Sequence, residues 1–451
     1  MMKALEYVKR ILLYLLSLCM LLQISMGIYW MTCNILFVPK IRETKEYLEA
    51  AKGFLLDEYM GILYPLFLRC LLSIEKVIGL PYWILVYLIQ LLLSSAVLWL
   101  FLRKLIQDRK KRLFVLLYLM TIPMLLQYHM SVLPNSLLFS ISILLILTGI
   151  KIGKKNQVKG REILVLCVLW VAAALLHPDY LLIHGAWILI YLLFFFIKGY
   201  KKKEIKCKLT LKIILCFIGS LVFIMFVNGL TQTPGSHGKM QRSMESILFE
   251  RLVGQNFANT YTFWSSEVKN TISLEEAVQI AKRSDNLRYE AGPVLEAALG
   301  KEQANREYLD MAFQCFGVRT KETTYRMLDD FMDYLFSPFS LLSRDGNRIS
   351  AAGWNYALLR EHNPRLVKWY FGGSLNVMIF GCILTLLAFC EKLFKKQKIK
   401  PIYGWILLFM LIEAFWFTIS SSNANNYGNV LFIIFFYYVL GLYTYIKKGN
   451  I

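Results

Sequence analysis

The chain has 451 residues, of which 57% are hydrophobic and 18% are charged, and its formal net charge is +21. That apolar share excludes an ordinary soluble protein of this length. The positive charge lies in short segments between apolar runs, which favours a role in membrane topology and attraction to anionic lipid over nucleic-acid binding. No nucleic-acid partner is therefore expected.

Apolar runs of about twenty residues recur along the chain, and about 20 such residues are needed to cross about 30 Å of hydrocarbon. The first run is too long for the apolar part of a signal peptide, so we interpret it as a retained span. The sequence predicts an all-α polytopic membrane protein with about ten transmembrane helices. The candidate spans are 11–31, 82–102, 113–130, 134–150, 163–177, 180–197, 211–230, 370–390, 401–419 and 428–446.

The linkers rich in Lys and Arg all fall on one side of this ten-span arrangement. They are 103–112, 151–162, 198–212 and 391–400. The positive-inside rule places that side, together with both termini, in the cytoplasm of a plasma-membrane protein. The predicted organisation is an N-terminal membrane module of seven spans (1–230), an extracytoplasmic loop domain (231–368) and a C-terminal membrane module of three spans (369–451).

The first outer segment contains an apolar stretch, 61–79, that carries Arg69, Glu75 and Lys76. A span here would move the basic linker 103–112 to the outside. We therefore predict an interfacial helix in the headgroup plane. This assignment keeps the acidic residues that precede it outside, at the membrane surface.

The loop domain is nearly neutral, and its patterning predicts mainly helices. Ser273 and Glu276 form a capping box before an apolar run. Its helices either pack on each other or lie on the membrane, and a structural cap over the spans is an alternative to a substrate role. Two segments, 301–316 and 320–336, each keep one apolar face, at Tyr308, Met311, Ala312 and Cys315 and at Tyr325, Leu328, Met332 and Leu335 respectively.

The first outer loop concentrates carboxylates close to the bilayer surface. If 43–55 is helical, Glu43 and Tyr47 share one face. A carboxylate in this setting is a candidate general base toward a hydroxyl, because partial burial raises its pKa. The alternative is a solvated helix face balanced by neighbouring Lys and Arg. The carboxylates are Glu43, Glu46, Glu49, Asp57 and Glu58.

The order of one span, the loop ETKEYLEAAKGFLLDEYMGILYPLFLRCLLSI and the span YWILVYLIQLLLSSAVLWLF resembles the start of the GT-C membrane glycosyltransferases. That group includes the protein mannosyltransferases and the lipid A aminoarabinose transferases. Glu43, Tyr47 and Tyr64-Pro65-Leu66 stand where the family has an acid, a Tyr four positions later and an interfacial segment. A weaker similarity continues through TIPMLLQYHMSVLPNSLLFSISILLIL, ALLHPDYLLIHGAWILI and SSSNANNYGNVLFIIFFYYVLG.

The resemblance implies a sugar donor on a polyprenyl phosphate and an extracytoplasmic hydroxyl acceptor on a glycan, lipid or protein. Transfer would invert the anomeric centre, with Glu43 as general base and Asp57 or Glu58 as its substitute. The second outer turn, SVLPN, lacks the acidic motif of metal-using members, so no cofactor is expected and a divalent metal is disfavoured. Cationic donors for the leaving phosphate would be Arg344, Arg348, Arg360, His362 and Arg365, and further substrate contacts would come from Tyr47, Tyr64, His129, His177, Asp179 and Tyr427.

Few ionisable residues lie within the spans. Glu413 is the sole carboxylate well inside an apolar run, which marks either a functional group or a buried polar network. His184 is predicted to be a hydrogen-bonded interior residue. Asp179, at the start of a predicted helix, is also a candidate helix cap.

Other functions fit parts of the pattern. A polysaccharide polymerase or ligase also uses lipid-linked sugars, but its base would lie in 231–368. A flippase or transporter of lipid-linked sugars is a second alternative, although polar residues gather at one membrane face and not at mid-membrane. A membrane acyltransferase would need an activated His on a span, for which only His184 is available. No Gly-rich nucleotide loop is present in the sequence, so nucleotide-sugar or ATP chemistry is not expected.

Overall fold

The computed structural model describes residues 18–29, 31–32, 35, 42–53, 56, 60–122, 125–126, 129–153, 160–201, 207–231, 240, 243–282, 287–336 and 401–420. Every regular element within these ranges is helical, so the predicted all-α class is confirmed for the described chain. The predicted spans 370–390 and 428–446 lie outside the described residues.

Within the described residues, ten helices of twelve or more residues fall in the two predicted membrane modules. The predicted spans from 82–102 through 211–230 each fall on one helix, except 113–130. The helices are α1 (Leu18–Tyr29), α2 (Arg42–Gly53), α3 (Leu63–Ile78), α4 (Tyr82–Leu105), α5 (Arg109–Thr121), α6 (Asn135–Gly153), α7 (Gly160–Leu176), α8 (Asp179–Lys201), α9 (Cys207–Thr231) and, late in the chain, Pro401–Ser420.

The predicted span 113–130 is wrong as a single continuous helix. Helix α5 ends at Thr121, and Ile122 adopts an extended conformation with φ −62° and ψ 131°. The next residue is Pro123, whose ring disfavours the helical conformation of the residue before it. The helix is therefore interrupted at Ile122, and hydrogen bonds of helical spacing resume where the Leu126 N–H donates to the carbonyl oxygen of Ile122 at 2.9 Å.

Two helices in the described part of the chain are long and apolar enough to cross a membrane, Tyr82–Lys104 and Asn135–Ile152. This is fewer than the ten predicted spans, and length and composition alone are weak evidence, since core helices of soluble proteins meet the same criterion. Shorter apolar helices cover Leu18–Tyr29, Asp179–Phe194, Leu215–Leu230 and Trp405–Ser420.

Apolar side chains cover the outside of these helices, and several polar side chains are inside. Leu92, Leu189 and Leu230 are 70%, 69% and 70% exposed, whereas Gln90 and His184 are fully buried. A soluble protein shows the reverse arrangement and rarely exposes a large apolar patch. The exposed surface of these helices is therefore of the kind that lipid covers.

The segment 61–79 forms a helix of its own, as predicted. Helix α3 ends at Gly79, which has a φ of 74° in the left-handed region that favours glycine, and α4 begins beyond Pro81. One face of α3, including Leu68 and Leu71, is buried, and its last residues Val77 and Ile78 are exposed. Its position at a membrane surface stays a prediction.

The loop domain has a separate apolar core. Its largest fully buried side chains are Phe249, Phe257 and Tyr308, and the described helices surround them. The α-helices are α10 (Met244–Leu252), α11 (Ser266–Thr271), α12 (Leu274–Ala281), α13 (Gly292–Leu299), α14 (Lys301–Val318) and α15 (Thr320–Phe336), and we number Pro401–Ser420 as α16.

The capping box predicted at Ser273 is confirmed. The Ser273 hydroxyl accepts the backbone N–H of Glu276, and the Glu276 carboxylate accepts hydrogen bonds from the backbone and hydroxyl of Ser273. These two hydrogen bonds lower the pKa of Glu276 below its ordinary value. The predicted inner face of α14 is confirmed as well, because Tyr308, Met311 and Cys315 are buried.

Helix α15 has the predicted bounds, but the two described side chains of its predicted apolar face are exposed. Tyr325 and Leu328 on that face are 63% and 53% exposed. Met327 instead packs against the loop-domain core, and Phe331 packs against the core of the membrane helices. Helix α15 also contacts α16, so it joins the loop domain to the membrane modules.

We expect Phe249→Ala to lower the free energy of unfolding of the loop domain by about 3–5 kcal/mol, because it leaves a cavity in a close-packed core. The Phe249 ring is fully buried and stacks on Tyr308 with ring centroids 4.6 Å apart. Phe263→Ala is the matched control, since that ring is 45% exposed. Thermal unfolding of the purified protein measures both, and equal loss in the two variants would contradict this packing.

Candidate functional site

Helix α2 carries the predicted catalytic acid. Its inward face consists of Thr44, Tyr47, Ala50 and Ala51, all buried, at the spacing of one helical face. Glu43 lies in the first turn of this helix, and its side chain is outside the described part of the structure. The next residue, Thr44, is buried, so packing holds this turn of the helix in place.

Two contacts fix α2 on the bundle. The Thr44 hydroxyl donates to the carbonyl oxygen of Val132 at 3.3 Å. The rings of Tyr47 and Tyr64 meet edge to face, with centroids 5.1 Å apart. These contacts join the first outer loop to the turn before α6 and to the start of α3.

Gln90 of α4 completes this junction, although the sequence analysis did not single it out. Its amide nitrogen donates to the carbonyl oxygen of Leu133 at 3.0 Å and to the Tyr64 hydroxyl at 3.3 Å. Burial, with the Tyr47 hydroxyl nearby, raises the pKa of Tyr64 well above its ordinary value, so Tyr64 stays neutral. An amide within the run YWILVYLIQLLL was the available signal, because a buried polar group needs hydrogen-bond partners.

His129, a predicted substrate contact, is fully buried in the structure. Its Nδ1 lies 2.8 Å from the Ser136 hydroxyl oxygen and 3.4 Å from that of Ser94. Ser94 also lies within hydrogen-bond distance of Ser136 and Ser140, at 3.2 Å and 3.0 Å. Serines from α4 and α6 therefore enclose the imidazole and hold the turn before α6 against α4.

His177 and Asp179 form a pair at the start of α8. The Asp179 carboxylate lies 3.5 Å from His177 Nδ1, and the Asp179 backbone N–H donates to the same nitrogen at 3.4 Å. Their side chains are 15% and 9% exposed, so the pair lies at the rim of the bundle. Asp179 is in the first turn of α8, where a carboxylate interacts favourably with the helix dipole.

The backbone of Gly61 passes directly over the end of α7. A Cβ atom at this position would lie 2.1 Å from the carbonyl oxygen of Leu175, two residues before His177. The segments 42–64, 129–136 and 175–180 therefore meet at one end of the bundle, which we call the site end. The predicted contacts Tyr47, Tyr64, His129, His177 and Asp179 all belong to these segments.

The basic linkers lie at the other ends of the same helices. The linker 103–112 joins the end of α4 to α5, where Arg112 donates to the carbonyl oxygens of Ile106 and Gln107. The linker 151–162 joins α6 to α7, and Lys151 lies 3.9 Å from Glu162. The positively charged segments are thus separated from the site end by the length of the helices.

Two interior groups are placed as predicted. The Ser142 hydroxyl oxygen lies 3.0 Å from Nε2 of His184, which confirms His184 as a hydrogen-bonded interior residue. The Tyr180 hydroxyl donates to Oε1 of the fully buried Glu413 at 2.9 Å.

The remaining predicted site residues lie outside the described part of the structure. Among the described residues, no group of three or more His, Cys, Asp and Glu side chains is placed to hold a metal ion. The predicted residues outside are Asp57, Glu58, Arg344, Arg348, Arg360, His362, Arg365 and Tyr427.

The site end brings together a helix with an acid in its first turn, tyrosines and a partly exposed His–Asp pair. A carboxylate and an imidazole are suited to proton transfer, and an imidazole N–H is suited to donating a hydrogen bond to an anion. Comparison of the chain with protein-family models, curated proteins and solved structures found no match.

We expect Gly61→Ala to destabilise the protein by about 1–3 kcal/mol, the usual effect of overpacking. The added methyl group would overlap the backbone of Leu175, which has no flexible end that moves aside. Gly53→Ala is the matched control, because a Cβ atom there has no atom within 4 Å. Thermal unfolding of both variants tests the close approach, and an unchanged midpoint for Gly61→Ala would refute it.

Proposed function

We propose that the protein is a multi-pass membrane glycosyltransferase that moves a sugar from a polyprenyl-phosphate donor to an extracytoplasmic hydroxyl group, with inversion. The observation that carries the proposal is the convergence of 42–64, 129–136 and 175–180 at the site end. The resemblance to the GT-C glycosyltransferases rests on motifs in these same segments, which the fold brings into contact.

The proposed setting is a plasma membrane crossed about ten times, with both termini in the cytoplasm. The exposed apolar surfaces of α4, α7, α8 and α9 support this setting, because lipid is the solvent they suit. The basic linkers would be cytoplasmic by the positive-inside rule. The site end, at the opposite ends of these helices, would then lie at the outer leaflet, where the phosphate of a polyprenyl lipid is found.

The proposed reaction is a single displacement at the anomeric carbon. The acceptor oxygen forms a bond to that carbon while the bond from the carbon to the lipid phosphate breaks, and the hydroxyl proton passes to Glu43. One in-line displacement inverts the configuration. The leaving phosphate gains negative charge, which a His177 N–H and the arginines before span eight would stabilise.

The packing of α2 suits this role for Glu43. A general base must be held within hydrogen-bond reach of the proton that it removes. Thr44 and Tyr47 attach the helix that carries Glu43 to the turn at Val132 and to Tyr64. The acid therefore lies on a helix with a fixed register and not on a free loop.

We expect Glu43→Gln to abolish transfer and hydrolysis of a polyprenyl-phosphate sugar by the purified protein while expression stays normal. The amide keeps the size of the side chain but does not accept the proton. Glu49→Gln is the matched control on the same helix, since Glu49 is exposed and lies 3.8 Å from Lys45. Full activity of Glu43→Gln would transfer the role to Asp57 or Glu58.

The polymerase or ligase alternative predicts a different pair of results. In that case Arg348→Ala in the loop domain would abolish activity, and Glu43→Gln would leave it intact. The two variants measured with the same lipid-linked substrate separate the alternatives.

The proposed topology is tested by labelling single cysteines in a cysteine-free background. We expect a membrane-impermeant thiol reagent added to intact cells to modify Lys45→Cys and not Lys110→Cys. Both positions are exposed, so access depends on the side of the membrane. Reaction of both residues, or of neither, before the cells are permeabilised would contradict the placement of Glu43.

A further inference from the structure

Glu413 is a buried carboxylate that the proposed reaction does not use. It lies in α16 within an apolar run, its side chain is fully buried, and it accepts a hydrogen bond from Tyr180 at 2.9 Å. A carboxyl group in such surroundings is costly to keep unless it is hydrogen-bonded. Residues 180 and 413 are far apart in the chain, so this bond ties the start of α8 to the late helix.

The Tyr180 side chain is held firmly around this bond. Its ring packs edge-on against the rings of His177, His184 and Phe417, with centroid distances of 6.2, 5.0 and 6.4 Å. The side chain is 3% exposed. Packing therefore sets the direction of the Tyr180 hydroxyl, and Glu413 accepts its hydrogen bond.

Tyr180 also follows Asp179 directly in the chain. The His177–Asp179 pair is thus held on one side by its own contacts and on the other by a tyrosine whose hydroxyl is fixed by Glu413. Movement of Tyr180 would displace both members of the pair. The His177 ring contacts the Tyr180 ring, and a peptide bond joins Asp179 to Tyr180.

We propose that Glu413 is a positioning residue that acts through Tyr180 to hold the His177–Asp179 pair in place at the site end. This inference rests on the proposed function for the reaction that the pair serves. Glu413 itself is not placed to touch substrate, because it is fully buried. Its contribution is a hydrogen-bond acceptor, so an amide oxygen at the same place would replace it.

Three variants and one control test the inference in the full-length protein. Tyr180→Phe removes only the hydroxyl, Glu413→Leu removes the acceptor, and Glu413→Gln keeps it. Tyr191→Phe is the matched control, since the buried Tyr191 hydroxyl on the same helix donates to the carbonyl oxygen of Gly149. The readouts are the rate of His177 modification by diethyl pyrocarbonate, followed by mass spectrometry, and kcat and KM for sugar transfer.

We expect Tyr180→Phe and Glu413→Leu to raise the rate of His177 modification about twofold to tenfold, the range that corresponds to one net hydrogen bond. Both should lower kcat for transfer, with a smaller change in KM. Glu413→Gln should restore the wild-type modification rate and kcat. Tyr191→Phe should lower the unfolding temperature as Tyr180→Phe does, yet leave the reactivity of His177 unchanged.

An unchanged rate of His177 modification in Tyr180→Phe would overturn the inference, and so would a Glu413→Gln variant as impaired as Glu413→Leu. Tyr180→Phe keeps the test decisive if Glu413→Leu does not fold. If the wild-type protein transfers no sugar but His177 reactivity shifts as expected, the proposed function fails and the positioning contact stands. If the wild-type protein transfers sugar but His177 reactivity does not shift in the variants, the proposed function stands and the positioning role of Glu413 fails.

Discussion

The structure depends on one constraint: polar groups enclosed by apolar helices must find hydrogen-bond partners. A backbone carbonyl or side-chain amide left without a partner in such surroundings costs several kcal/mol. The amide nitrogen of Gln90 meets this requirement by donating to Leu133, the Thr44 hydroxyl by donating to Val132, and the Tyr180 hydroxyl by donating to Glu413. Each of these bonds joins segments distant in the sequence, so together they determine which loops lie side by side.

The apolar surfaces of the helices fix their relative positions less strictly than these hydrogen bonds do. Leucines on the outer faces of α4, α8 and α9 suit any apolar surrounding, and sliding one helix along another would change little for them. A hydrogen bond has a narrow range of length and angle, so Gln90 allows only one register between α3, α4 and the turn before α6. Glycine adds a second restriction at residue 61, where only a missing side chain permits contact with Leu175.

The sequence was sufficient to predict the helices but not how they meet. Run lengths gave the bounds of α4, α6 and α8 closely, because about twenty apolar residues have few other stable forms. The same reasoning failed at 113–130, where α5 ends at Thr121, two residues before Pro123 in the sequence. It also failed at Tyr325, which lies on a predicted apolar face yet is exposed. Thr44 was missed because its partner is a backbone carbonyl, which every residue has and no pattern marks. The amide of Gln90 stands out in an apolar run, but the sequence does not show which groups it bonds.

The proposals give the two acids Glu43 and Glu413 different roles. A general base must contact the hydroxyl that it deprotonates, so it needs access to the site. Glu413 is fully buried and accepts a hydrogen bond from Tyr180, so its carboxylate is not placed to reach a substrate hydroxyl. Glu43 lies in the first turn of α2, where the next residue, Thr44, is buried. In the proposed reaction Glu43 acts on the substrate, and Glu413 holds the side chains beside it in place.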